Sequence, residues 1–281
     1  MRLAFKDFSF DFSEKTFIMG ILNITPDSFS DGGSFIKADT AVEHAINMVE
    51  EGADIIDIGG ESTRPGSDAI TVSEELERVI PVIEKLSGRI RVPISIDTYK
   101  AEVAQKAIDE GASIVNDISG LRFDPEMPGV VSRNEVSVVI MHIKGTPKNM
   151  QKNPIYGNLI KEIIEYLEES IAIAEKAGVH HEKIIVDPGI GFGKMFEDNL
   201  EIINRLSEFR RLGKPVLIGA SRKAFIGEVL GDAPVGDRVE GTAAAVAISI
   251  MNGADIVRVH DVKEMKKVAK VSDAIKSGVI V

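Results

Sequence analysis

Apolar residues fall into two rhythms that alternate along the chain. Short runs of strand character recur eight times, over residues 17–22, 55–58, 94–96, 113–115, 136–141, 184–186, 216–218 and 255–259. Between them the apolar spacing is helical, over residues 40–51, 73–86, 101–110, 159–177, 199–211, 241–252 and 262–276, with a weaker stretch opening at Asp124–Pro128. Gly52, Gly111, Gly178, Gly213 and Gly253 each follow a helical stretch and precede the next strand, the usual place for a helix stop. The phrases Gly52-Ala53-Asp54-Ile55, Gly111-Ala112-Ser113-Ile114 and Gly253-Ala254-Asp255-Ile256 read as one recurring helix-to-strand turn. Ahead of the first run, residues 3–12 alternate apolar and polar and turn at Ser13-Glu14-Lys15, which predicts a short β-hairpin over the bottom of the fold.

Eight buried strands separated by helices predict a parallel α/β fold, a single (β/α)8 TIM barrel with that short N-terminal hairpin, as one domain over residues 1–281. A doubly wound open sheet is the rival. It favours a Gly-x-Gly-x-x-Gly after the first strand, where this chain has Asn23-Ile24-Thr25-Pro26-Asp27 instead.

Composition narrows the partners. With 44% hydrophobic and 27% charged residues the chain is ordinary globular material. It has no cysteine, which excludes disulfides, thiolate metal sites and a cysteine nucleophile and suits the cytoplasm. The N-terminus lacks a signal-peptide core, and no apolar run is long enough to span a membrane. A formal net charge of −11 speaks against nucleic acid or an anionic membrane as partner. An anionic substrate then needs cations gathered locally in a cleft.

In a barrel the C-terminal strand ends line the active site, and here each of the eight carries polar chemistry. Taken singly, Asp97 or Asn116 reads more simply as a helix N-cap, and Asp261 as a cap alone. Asp54 and Asp57 fit a structural role as well as a functional one, and His180-His181 fit the surface. Residues 189–194 superficially look like a phosphate loop but lack the Walker spacing. Together the strand ends form two groups. Asp97, Asn116, Asp187 and Lys223 are acceptor-rich with one ammonium, suited to a flat heterocycle with an amino-amide edge of N–H donors. Arg64, Arg258, His260 and Asn23, with Thr63, supply cations for phosphate oxygens and an amide oxygen for Mg2+.

These residues resemble one family, dihydropteroate synthase, in motifs that occur in the family's order from Phe17 to Asp261. They are residues 19–33 (MGILNITPDSFSDGG), 59–66 (GGESTRPG), 187–194 (DPGIGFGK), 221–223 (SRK) and 258–262 (RVHDV). The resemblance implies condensation of 6-hydroxymethyl-7,8-dihydropterin diphosphate with p-aminobenzoate, giving dihydropteroate and pyrophosphate on the route to folate. It implies the pterin at Asp97, Asn116, Asp187 and Lys223 between the apolar walls Met141 and Phe192. It assigns the diphosphate to Thr63, Arg258 and His260 with help from Arg64, and Mg2+ to Asn23. Phe29, Thr63 and Pro65, with Phe192 and Lys223, border the aminobenzoate site, where sulfonamides compete. The segments after the first and second strands are expected to close over the substrates, and a homodimer is expected.

Ala224 stands where many members have a serine beside the acceptor carboxylate. The reaction is expected to be a substitution at the pterin methylene, with Mg2+, Arg64 and Arg258 stabilising the leaving diphosphate, Asp31 the cation left behind, and Lys223 the ring. The alternative is a pterin-dependent methyltransferase, which shares the pocket acids but has no use for the cations of Arg258-Val259-His260. A non-catalytic pterin carrier is a further class, against which both loop motifs speak.

Overall fold

The strands of the hairpin, β1 (Arg2–Phe5) and β2 (Phe8–Asp11), pair antiparallel with Leu3 opposite Phe10. The structure, a computed structural model, describes residues 1–5, 8–25 and 34–279. Phe5 pairs with Phe8, so the two hairpin strands meet ahead of the predicted turn, and a turn at residues 12–14 leads into the sheet. There follow β3 (Phe17–Asn23), β4 (Ile55–Gly59), β5 (Ile94–Asp97), β6 (Ile114–Asp117), β7 (Ser137–Met141), β8 (Ile184–Asp187), β9 (Leu217–Ile218) and β10 (Ile256–Val259). Neighbours in sequence pair in parallel from β3 to β8, β10 lies between β3 and β9, and a bridge between Val186 and Val216 closes the cylinder. The predicted eight-stranded barrel is thus observed.

The intervening helices are α1 (Ser34–Glu50), α2 (Val72–Leu86), α3 (Ala101–Asp109), α4 (Met127–Arg133), α5 (Leu159–Lys176), α6 (Phe196–Asn204), α7 (Ala224–Val229), α8 (Val239–Met251) and α9 (Val262–Ser277). The helix expected over 199–211 is two pieces: α6, then a 3-10 turn over Leu206–Leu212. Leu206 and Phe209, three residues apart and both fully buried, stack on one side of the tighter helix, and that packing overrides the 3.6-residue rhythm. The short α7 was not expected.

Strand side chains alternate between the helices outside and the barrel interior within. Ile56 and Ile58 join the outer core, whereas Ile55, Ile114, Ile185 and Ile256 lie fully buried in the inner one. These four isoleucines come from alternate strands, β4, β6, β8 and β10, and form one interior layer. Leu3 and Phe10 of the hairpin join the same inner cluster, with Phe10 stacked 4.3 Å from Phe17. Burying Leu3 and Phe10 stabilises by roughly 1.5–3 kcal/mol each and fixes the hairpin across the bottom of the barrel.

The recurring turn has a physical basis. Asp54 Oδ2 accepts from Ile18 N at 2.9 Å, and Asp255 Oδ2 accepts from Val216 N at 2.9 Å, so each aspartate ties its own strand start to a neighbour's. Asp54 also binds Lys15 and Lys266, a purely structural role at the lower end.

Candidate active site

Two residues beyond each layer isoleucine stands a polar one: Asp57, Asn116, Asp187 and Arg258. The twofold strand period keeps them on the interior face, one step nearer the C-terminal mouth. Asp57 Oδ2 accepts from Arg258 Nε at 2.6 Å and from Asn116 Nδ2 at 3.0 Å. Asp97, the last residue of β5, accepts from Arg258 Nη2 at 2.7 Å. Arg258 therefore sits among the residues of the heterocycle group, not apart from them as the sequence suggested. Asp57, left undecided by the sequence, belongs to the site.

Burial dominates the electrostatics. It pushes the Asp97 carboxyl up to about 7 against the pull of Arg258. It raises Asp187 to about 6, although Gly189 N donates to its Oδ1 at 2.7 Å and Lys223 is near. Lys223 is lowered to about 8, by burial first and by Arg258 second. Burial also works against the charge on Arg258, but Asp57 and Asp97 more than offset it and the guanidinium stays charged. His260 is lowered to about 4 by burial and then by Arg258. Its Nδ1 lies 3.0 Å from Ser221 Oγ, which already accepts from His260 N at 3.2 Å. The hydroxyl hydrogen can then point to Nδ1, the arrangement in which the ring proton is on Nε2.

Apolar walls flank this polar floor. Met141 packs in a small cluster with Ile118, Ile143 and Met150, against which Phe192 rests, so the two residues read as walls share one cluster. Lys223 Nζ lies 4.3 Å from the Phe192 ring centroid. Lys194, the last residue of the glycine-rich motif, faces no open phosphate site. Its Nζ is buried, 2.7 Å from His142 Nδ1 and 3.1 Å from Phe192 O, and it ties the β8 loop to β7. Gly189 must be glycine here, because it has φ +74° and a Cβ would lie 2.0 Å from His142 O.

Two supporting networks were missed in the sequence. Lys100 bridges the buried Glu75, at 2.5 Å, and Glu61, whose Oε1 also accepts from Tyr99 Oη at 2.6 Å. This anchors the start of the loop that carries Thr63, Arg64 and Pro65. The same loop docks on the β7 loop through Gly66 N to Pro147 O at 3.0 Å. Arg64 and Pro65 are exposed and Thr63 half-buried. Asp261 is not a side-chain cap: its carboxylate takes Arg222 Nε at 3.0 Å and Nη2 at 2.5 Å, steadying the segment that presents Lys223. Nor do Asp97 and Asn116 cap helices.

Asn23 ends β3 at the mouth, with its Oδ1 3.6 Å from where a Cβ on Gly59 would stand. Among the described residues no group of three His, Asp or Glu side chains could hold a metal by itself. Phe29 and Asp31 lie outside the described residues. A cavity of about 600 Å³ beside the hairpin, lined by Arg2, Lys15 and Arg91 among others, is at the opposite end and shares no residue with the site.

A closed parallel barrel whose mouth gathers buried carboxylates, an amide, a lysine and an arginine is a (β/α)8-barrel enzyme in form. A family model described as "Pterin binding enzyme" matches residues 19–260. The dihydropteroate synthase of Bacillus subtilis (strain 168) is 50% identical over 276 residues, covering 98% of this chain and 94% of the relative. The crystal structure of the Yersinia pestis dihydropteroate synthase with a sulfonamide drug complex superposes with a TM-score of 0.93 at 41% identity, covering 99% and 100% of the two chains. That of the Xanthomonas albilineans enzyme in complex with 7,8-dihydropteroate gives 0.88 at 39% identity, covering 99% of each. The chain belongs to the pterin-binding enzymes and, among them, to the dihydropteroate synthases.

Proposed function

We infer that the chain condenses 6-hydroxymethyl-7,8-dihydropterin diphosphate with p-aminobenzoate to give 7,8-dihydropteroate and pyrophosphate. The observation that carries this reading is the polar layer of Asp57, Asn116, Asp187 and Arg258, with Asp97 and Lys223 beside it. It is a buried set of acceptors and cations at the depth where a flat ring can lie between Met141 and Phe192. In this reading Asp97, Asn116 and Asp187 accept from the ring's N–H groups and Lys223 donates to its acceptors. Arg258 spans ring and diphosphate, with His260 Nε2–H, Thr63 and Arg64 on the phosphate oxygens. p-Aminobenzoate lies over the ring beside Phe29, Pro65, Phe192 and Lys223, and Asp31 faces the cation that forms when the diphosphate departs.

Asn23 offers one hard amide oxygen, and the described residues supply no carboxylate cage. That fits Mg2+ carried in by the diphosphate, with substrate oxygens and waters as its other ligands. When bound, the ion supplies charge neutralisation to the leaving group. A homodimer is part of the reading. Ile248 and Met251 on α8, and Val271 and Ile275 on α9, are exposed on helices that pack side by side, an apolar surface suited to a second copy. The cytoplasm suits a chain without cysteine in which no described helix is long and apolar enough to cross a membrane.

The test is pyrophosphate release from pterin diphosphate, p-aminobenzoate and Mg2+. Release that needs both organic substrates supports the reading. Its absence, with methyl transfer from a methyltetrahydropterin to a corrinoid, would replace it by the methyltransferase.

A further inference from the structure

Asp57 stands in the middle of β4, faces the barrel interior and is fully buried. The two donors on its Oδ2 come from β6 and β10, each two strands away around the barrel and on opposite sides. A carboxylate oxygen that already receives Arg258 Nε–H is an acceptor, so Asn116 must meet it with Nδ2. The amide oxygen of Asn116 is then left for whatever lies in the pocket. Turning the amide over would set Oδ1 against Asp57 Oδ2, acceptor against acceptor, and aim two N–H donors at a ring edge that is itself made of donors. Arg258 is fixed in the same way. Nε goes to Asp57 and Nη2 to Asp97, which leaves Nη1 without a partner among the described residues.

We propose that Asp57 is a positioning residue for heterocycle recognition: it locks the Asn116 amide with its oxygen toward the ring and holds Arg258 by Nε. Asp57 acts through these two side chains and sets which hydrogen-bonding edge the pocket accepts. Its other oxygen, Oδ1, is buried and meets no donor among the described residues. The inference rests on the pterin reading given above, and the experiment separates the two.

Calorimetric titration of 6-hydroxymethylpterin, which lacks the diphosphate, is made on wild type, Asp57→Ala, Asn116→Ala and the double variant. Each single change is expected to weaken binding about tenfold or more, and the double by less than the product of the two, because the part of Asp57 that runs through Asn116 is already lost and only the part through Arg258 remains. In steady state Asp57→Ala raises KM for the pterin substrate and leaves KM for p-aminobenzoate within about twofold. Asp57→Asn carries the test should the alanine variant not fold, since its amide oxygen can accept both N–H groups. Its pterin affinity is expected to stay within about threefold of wild type. A double variant whose loss equals the product of the single losses overturns the positioning role, as does Asp57→Asn losing as much as Asn116→Ala. Failure of the wild type to bind the pterin at all overturns the functional reading instead.

Discussion

Arg258 Nη2 stands 2.7 Å from Asp97 Oδ2, so the cation expected at the leaving group is tied to a carboxylate expected at the ring. In the pterin reading, recognition of the two halves of the substrate passes through one guanidinium.

Arg258→Ala leaves Asp57 and Asp97 buried together without their cation. Breaking such a pair costs about 3–5 kcal/mol. The Asp97 carboxyl already sits at about 7 through burial and rises further once Arg258 is gone. A folded-state value above the unfolded one gives stability that is full at low pH and lost as pH rises through the folded value. Urea unfolding should thus show a larger deficit at pH 8 than at pH 5. Binding of the diphosphate substrate should fall by about 2–4 kcal/mol and of the ring alone by about tenfold. Equal deficits at both pH values, or equal losses for both ligands, would overturn these assignments.

Asp187→Asn replaces a buried acceptor by a donor facing ring N–H groups, while Gly189 N loses a charged partner. Pterin affinity should fall by about 2–4 kcal/mol in a protein that still folds. Unchanged binding by calorimetry would remove Asp187 from the pocket.

Ring binding should strengthen from pH 5 to pH 7. Burial places Asp97 at about 7 and Asp187 at about 6, and N–H donors favour the ionised forms. Ligand binding lowers both values, so protons leave the complex in that window. Calorimetry at pH 6.5 in two buffers of different ionisation heat counts them. Net proton uptake would contradict the donor-edge geometry.

Lys100→Met strands Glu61 and Glu75 in a buried position. Burial already raises Glu75 despite Lys100. A loss of about 3–5 kcal/mol is expected in denaturant unfolding, with a raised KM for p-aminobenzoate as the 60–71 segment loosens. A loss below about 1 kcal/mol would mark the bridge as a surface-type pair.

Much of this molecule is legible in its sequence. All eight strands were placed, each within a residue or two, because aliphatic runs between helix-stop glycines leave little choice. The strand ends fall one residue short at Asp97 and Asp187 and two short at Asp117, since a polar residue that closes a strand looks like the start of a loop. The candidate pocket residues Asp97, Asn116, Asp187, Lys223, Met141 and Phe192 follow from the strand ends and the family likeness. Asp57 was not, although Ile55-x-Asp57 repeats the pattern of Ile114-x-Asn116, Ile185-x-Asp187 and Ile256-x-Arg258. Counting by twos along alternate strands would have found it. The Lys194–His142 contact and the Glu61–Lys100–Glu75 bridge join residues far apart in sequence, and no local rhythm announces them. The split of helix 199–211 likewise depends on where Phe209 is buried.

The hairpin packs Leu3 and Phe10 into the isoleucine layer at the lower end of the barrel, and the polar layer lies toward the C-terminal mouth. Whatever lies deepest must enter first and leave last. In the pterin reading a ring resting on Asn116 and Asp187, with Asp57 behind them, is hemmed in by anything above it, so the joined product would withdraw as one body with pyrophosphate beside it. In that reading the floor of the barrel, remote from the reacting atoms, would set an order of arrival and departure.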